Sequence, residues 1–209
     1  MLIGHSPGSV AAMGTRIFLA GASGVIGRHV IPLLIDAGHT VGAMTRWESK
    51  MSGLAALGAE PIICDVFDRP ALQEAVRYFS PDVLLHELTD LPDDLVNLPK
   101  ASLVNARIRA EGTRNLLDAL DDVRQTKVVA QSVAWAMPPG PEADAIAALE
   151  ASVLAVNGVV LRYGFLYGPG TYYPHELPAA PRVRIDIAAA ATVAALDAPS
   201  GVVTIAEEF

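Results

Sequence analysis

The sequence predicts a doubly wound α/β fold, a parallel sheet with helices on both faces. Three observations carry this. Short apolar runs alternate with helical patterns along nearly the whole chain, the signature of parallel strands joined by crossover helices. The runs are mostly apolar, as strands covered on both faces are. Finally, 52% of the 209 residues are hydrophobic and 18% are charged, so a large core is available and disorder is disfavoured.

The elements follow in order. Residues 16–20 form the first strand, stopped by Gly21. Residues 25–37 form a helix closed by Gly38, with Pro32 inside it as a potential kink. Residues 39–44 are the second strand, 54–57 a short helix ending at Gly58, and 60–64 the third strand with Asp65 at its tip. Residues 70–78 begin with proline in the first turn of a helix, and 82–85 are the fourth strand. The longest helical pattern is 101–120, with Leu103, Ile108, Leu116, Leu117 and Leu120 on its apolar face. Strands five to seven are 127–130, 158–161 and 202–206, with helices 141–156 and 185–196 between them. Residues 1–14 read as a flexible extension and 15–209 as one domain. The Pro-rich stretches 138–141 and 174–181 are loops.

Net charge is −8, and no Lys/Arg stripe is present to neutralise phosphates, which argues against a nucleic-acid partner. No apolar run approaches the roughly 20 residues that span a bilayer. The single cysteine, Cys64, permits no internal disulfide and fits a cytoplasmic setting; it reads as a small core residue. No His/Cys/Asp/Glu cluster has metal-ligand spacing, so no metal is expected.

The chemistry-bearing motif is Gly21-Ala22-Ser23-Gly24-Val25-Ile26-Gly27. It follows a strand and opens a helix. A pyrophosphate needs free N–H groups at a helix start and a backbone without side chains in the way. Gly21 makes the tight turn, Gly24 lets the backbone approach the phosphates, and Gly27 lets helix and strand pack closely. This context makes the fold a Rossmann-type dinucleotide-binding domain. Ser23, Val25 and Ile26 complete the binding turn.

The G-x-x-G-x-x-G spacing resembles that of the short-chain dehydrogenase/reductase superfamily, in its extended or atypical branch, the NAD-dependent epimerase/dehydratase family. Further motifs extend the resemblance from Arg16 to about Ala206: Asp65-Val66-Phe67-Asp68, Asp82 to His86, Asn105 through Glu111 to Leu117, and Leu161 to Gly170. The resemblance implies that Asp65 meets the adenine amino group, and that Val66, His86, Leu88, Thr89 and Asn105 border the cofactor. It also implies a small-molecule substrate, and a homodimer through the helices near 101–120 and 141–156.

NAD sites place an acid at the tip of the second strand. Here the tip is Met44-Thr45-Arg46-Trp47. A guanidinium forks onto a 2′-phosphate, so Arg46, assisted by Lys50, points to NADP(H) over NAD(H).

The resemblance further implies a Ser or Thr after strand five and a Tyr-x-x-x-Lys pair on the next helix, the lysine lowering the tyrosine's pKa. Ser132 matches the serine. The helix contains neither Tyr nor Lys, and no tyrosine in the chain has a lysine four residues on. If Glu150 matches the family's acidic residue, Glu142 and Ile146 stand in the Tyr and Lys positions. Tyr172 and His175, after strand six, are the substitute polar groups, while Tyr163 and Tyr167 read as pocket wall. The substrate lobe, about 168–186, is reduced to a short Pro-rich stretch. An NADP(H)-dependent oxidoreductase or epimerase-like enzyme with a non-standard centre is expected. A non-redox isomerase, cyclase or lyase, or a non-catalytic NADP(H) sensor, is compatible with the same residues.

Overall fold

The computed structural model describes residues 14–92 and 98–207. The expected extension therefore lies, but for Gly14, outside the described residues. Seven parallel strands form the main sheet: β1 (Arg16–Ala20), β2 (Thr40–Thr45), β3 (Glu60–Ile63), β4 (Val83–His86), β5 (Lys127–Val133), β6 (Val159–Tyr163) and β9 (Gly201–Ile205). Their spatial order is β3-β2-β1-β4-β5-β6-β9. The chain thus runs outward from β1 to β3, then returns to β4 on the other side of β1. That reversal is a topological switch point, where ligands bind beyond the strand ends. Every strand expected from an apolar run is present.

Alternation along β1 feeds two cores. Ile17 and Leu19 pack with Val30, Ile31 and Leu34 of α1 (Val25–Asp36) and with Ala188 and Ala189 of α7 (Ile185–Ala194). Phe18 and Ala20 face the other side. There they join Leu72, Val76 and Phe79 of α3 (Arg69–Phe79), Leu116 of α5 (Thr113–Asp118), and Leu149 and Val153 of α6 (Pro141–Ala155). Asp68 caps α3 by accepting from Ala71 N at 3.2 Å, with Pro70 in the first turn. The short helix α2 (Met51–Ala56) leads into β3. α1 runs through Pro32 without a break.

Two features depart from the sequence reading. The long helix is not uniform: α4 (Leu98–Arg107) passes into a π-helical segment (Ile108–Gly112) before α5. The wider turn shifts the side-chain register, so the apolar face of α5 does not continue along α4, and Leu103, expected on that face, is 70% exposed. The stretch after β6 is not all loop. β7 (Phe165–Tyr167) pairs in parallel with β8 (Arg182–Arg184) as a separate two-stranded sheet, and Tyr167 donates to Glu207 at 2.5 Å.

The closeness of α1 to the end of β1 generates a paired prediction. A Cβ on Gly27 would lie 2.6 Å from the carbonyl oxygens of both Gly21 and Ala22, whereas one on Gly53, exposed in α2, meets nothing within 4 Å. Gly27→Ala is expected to lower unfolding free energy by about 1–3 kcal/mol through overpacking. Gly53→Ala is expected to raise it by about 0.5–1 kcal/mol. Urea unfolding of both variants checks the pair; equal effects would mean that the α1 contact is slack.

Candidate functional site

The cleft at the switch point has a volume of about 1080 Å³. Its first wall is the glycine turn. Gly21 has φ +94°, and a Cβ there would lie 2.5 Å from the Glu87 carbonyl carbon, so a residue with a side chain is excluded by both conformation and contact. Gly24 N donates to Gly21 O at 3.0 Å. Gly24 then caps α1 in extended conformation with no side-chain cap, and the first turn carries no acid. The N–H groups that a capping side chain would take are left facing the cleft. Gly21, Ser23, Gly24, Val25 and Ile26 all line it; Gly27 does not, because it packs α1 against the turn behind. These features fit the phosphates of a dinucleotide.

The strand-two tip lies alongside. Ser23 Oγ and Thr45 Oγ1 are 3.3 Å apart. Arg46 and Lys50 line the cleft, with Asp65 and Val66 beyond them. Arg46 is engaged: its Nη2 donates to Asp90 Oδ1 at 2.7 Å, and its guanidinium lies 5.0 Å from the centre of the Trp47 ring. Asp65 Oδ1 accepts from Phe67 N at 2.9 Å, which shapes the turn after β3. Burial, then Asp68 and Asp65, push the Cys64 thiol up to about 11. It is a packed thiol, not a nucleophile.

After β4, Leu88 and Thr89 reach the cleft, as does Asn105 from α4, which accepts from Asp90 N at 3.4 Å. His86 is not among the lining residues. It is buried, with Nε2 3.0 Å from Thr113 Oγ1 and Nδ1 accepting from Leu88 N at 3.3 Å. Burial and then Arg109 pull its pKa down to about 4. The ring is therefore neutral and Nε2 carries the proton, holding the loop from behind.

The far end of the cleft holds the catalytic candidates. Ser132 lines it, but its hydroxyl donates to Glu150 Oε1 at 2.6 Å. Arg162 forks onto the same carboxylate at 2.9 and 2.6 Å and, with Ser132, holds its pKa down. Tyr172 lines the cleft and donates to Pro92 O. His175 is exposed and lies outside the lining. Trp135 stacks on Phe165 with ring centres 4.1 Å apart. Glu142, at the start of α6, accepts from Ser102 Oγ at 3.0 Å and pairs with Arg109 Nη1 at 3.5 Å. Among the described residues no metal-binding group of three His, Cys, Asp or Glu is present, and no helix is long and apolar enough to cross a membrane.

Two buried charged residues escaped the sequence reading, Arg109 and Glu87. Glu87 had a signal: alternation places it on the same side of the chain as buried Leu85. Its Oε1 is 3.2 Å from Tyr163 Oη, which is 2.6 Å from Thr192 Oγ1, which donates to Ala188 O at 2.7 Å. Tyr163 Oη is the donor to Glu87 Oε1, while Glu87 Oε2 is buried without a partner among the described residues. Burial raises its pKa to about 8, against the opposing hydrogen bond from Tyr163. Below the usual carboxylate pKa, Glu87 is protonated in both folded and unfolded chains. As pH rises towards 8 the unfolded chain ionises first, so stability falls. His86 acts oppositely, losing stability as pH drops from about 6.5 towards 4. Between pH 6.5 and 8 Glu87 acts alone. Glu87→Gln is expected to gain stability relative to the parent across that window, measured by urea unfolding at both ends; a constant difference would mean that Glu87 is already ionised.

The model of the NAD dependent epimerase/dehydratase family matches residues 17–150. The 3-diazoavenalumate denitrifying reductase of a Streptomyces species is 36% identical over 191 residues, which cover 80% of this chain and 62% of that protein. The chain thus spans less than two thirds of that curated relative. UDP-glucose 4-epimerase of Thermus thermophilus, in complex with NAD, matches with TM-score 0.73 at 22% identity, over 91% of this chain and 77% of that one. The Bordetella bronchiseptica enzyme WbmG, in complex with NAD, matches with TM-score 0.70 at 16% identity, over 95% of this chain and 74% of that one. These two likenesses show the fold.

The comparisons correct the expectation of NADP(H). The family is described as NAD dependent, and the Thermus and Bordetella structures hold NAD. The physical reason lies at the strand-two tip. Arg46 is not a free guanidinium: Asp90 occupies it at 2.7 Å and adds a carboxylate that disfavours a further phosphate. The fold, the glycine turn and the match over most of the sheet agree, and the chain belongs to the NAD dependent epimerase/dehydratase family.

Proposed function

We propose that the chain is an NAD(H)-dependent reductase of a small organic molecule whose reduction needs no Tyr-x-x-x-Lys pair. The observation that carries this is the contrast across the cleft. The nucleotide side has an uncapped α1 and a glycine turn without obstruction. The first turn of α6 presents Glu142 to the same cleft, and α6 carries neither tyrosine nor lysine.

Gly21, Ser23, Gly24, Val25 and Ile26 hold the phosphates, while Lys50, Asp65, Val66, Leu88, Thr89 and Asn105 border the nucleosides. When bound, the dinucleotide supplies hydride. Reduction of a carbonyl leaves an alkoxide that needs a proton from a nearby acid. Reductive removal of a diazo group differs: hydride takes the place of dinitrogen, which leaves as gas, and no oxygen has to be protonated. The Streptomyces relative is named for a denitrifying reduction of a diazo compound, which supports this chemistry here. Ser132 then serves to position, because its hydroxyl fixes the Glu150–Arg162 fork behind the reacting end. Tyr172 closes the cleft against Pro92. A homodimer through α4 and α6 belongs to the same proposal, supported by exposed Leu103 and Val104 on α4 and Leu154 on α6.

The first experiment is calorimetric titration with NADH and NADPH. NADH is expected to bind more tightly, and Arg46→Ala to change its affinity by no more than about threefold, since an exposed ion pair contributes about 0–1 kcal/mol. NADPH binding more tightly, with the preference erased by Arg46→Ala, would overturn the cofactor assignment. The second experiment supplies NADH and a ¹⁵N-labelled aryl diazonium salt. One dinitrogen released per NADH oxidised, read by mass spectrometry, supports the reaction; NADH oxidation with carbonyl compounds and no labelled gas from the diazonium salt refutes it.

A further inference from the structure

Arg109 is the charged group that the proposed reaction leaves without a role. It lies in the π-helical segment, is 6% exposed, and lines the cleft. Among the described residues its hydrogen-bond partner is Glu142, at 3.5 Å, the outer limit of such a bond. Glu142 is held more closely by Ser102, at 3.0 Å. A guanidinium has five N–H donors in a rigid fork. Among the described residues no nitrogen of Arg109 is a buried atom without a partner, and the side chain lines the cleft, so a ligand there can reach the guanidinium. Burial lowers the Arg109 pKa, and Glu142 counters this in part; the cation is thus held where water solvates it poorly.

The surroundings specify what would answer it. The stacked Trp135 and Phe165 rings, Met137 and Ile108 line the same cleft, a wall suited to a flat apolar body. Glu142 beside the guanidinium offsets part of its charge and repels a dianion more than a monoanion. The dinucleotide's phosphates have their own place at the start of α1. What remains is a planar, singly charged oxyanion.

We propose that Arg109 is the anion receptor at the substrate end of the cleft, and that the substrate is a carboxylate on a flat, apolar body. This deepens the reductase reading and rests on it. Arg109 forks onto the carboxylate, the aromatic wall takes the body, and Glu142 stays with Ser102. Arg109 sets which molecule binds; hydride transfer does not pass through it.

The test is calorimetric titration of the chain, with and without NAD, using benzoate, its neutral isostere benzamide, and inorganic phosphate. The parent protein is compared with Arg109→Gln and Arg109→Lys. Benzoate is expected to bind the parent at least about tenfold more tightly than benzamide, as a hydrogen-bonded charge contributes about 1.5–3 kcal/mol. Arg109→Gln is expected to remove that advantage while benzamide binding stays the same. Arg109→Lys is expected to recover part of it, keeping the charge without the fork. NAD affinity should stay within about threefold in both variants, because the phosphates are held by backbone of the glycine turn and not by the Arg109 side chain; this also reports that they fold. Benzoate affinity that survives Arg109→Gln, benzoate no tighter than benzamide, or phosphate binding as tightly as benzoate would each overturn the assignment. Failure of NAD to bind the parent would instead remove the reductase reading, and the benzoate series would still judge Arg109.

Discussion

Everything at the cleft depends on how closely α1 approaches the end of β1. Gly27 lets the helix press against the carbonyls of Gly21 and Ala22, and Gly21 in turn lies against the backbone of Glu87 at the end of β4. These contacts are between backbones, so no side-chain rotation relieves a bulkier residue. They bring the start of α1, the end of β1 and the end of β4 together at the point where the strand order reverses. The uncapped helix start is therefore placed at the cleft by backbone packing together with the Gly24 N to Gly21 O bond. Both cores, one on each face of the sheet, support that placement through alternating residues of a single five-residue strand.

Charge is buried here in three different ways. Glu150 is solved locally: two donors from Arg162 and one from Ser132 satisfy its carboxylate, so it stays ionised without strain on the fold. Glu87 is solved by neutralisation, since its Oε2 has no partner among the described residues and burial favours the neutral acid over the hydrogen bond from Tyr163. Arg109 has neither solution in full. Guanidinium cannot lose its proton in this setting, and the one contact among the described residues, at 3.5 Å, is a weak answer to burial. Arranging a costly group so incompletely is understandable where a ligand supplies the rest.

The legible parts of the structure were those written in local sequence. Seven strands could be read because each holds a short, mostly apolar run, and the glycine turn because its spacing and its strand–turn–helix setting coincide. β7 and β8 were missed: three residues each, beside Gly164, Gly168 and Pro181, they are too short to show a period. The π-helical segment was missed because one extra residue per turn leaves no composition mark, and Leu103 was assigned to the wrong face as a result. Arg46 was misjudged for a different reason. Its residue type favours a 2′-phosphate, but Asp90, its partner, lies 44 positions away, and no local pattern joins them. His86 and His175 show the same limit, since chemistry nominated both while burial placed one behind the cleft wall and exposure placed the other outside it.

The difference between the two ends of the cleft follows from what each must recognise. A dinucleotide presents the same phosphates whatever the reaction, and the glycine turn that fits them is built from backbone and tolerates little change. The other end is lined by side chains on neighbouring helices, which can be exchanged without disturbing the sheet. Glu142 on α6 and Arg109 on the π-helical segment meet each other across an interface between helices, not within either one. A change at one position is therefore felt at the other, and the pair has to be read as a unit. That coupling brings a carboxylate and a guanidinium from two helices to one place in the cleft, which neither helix could do alone.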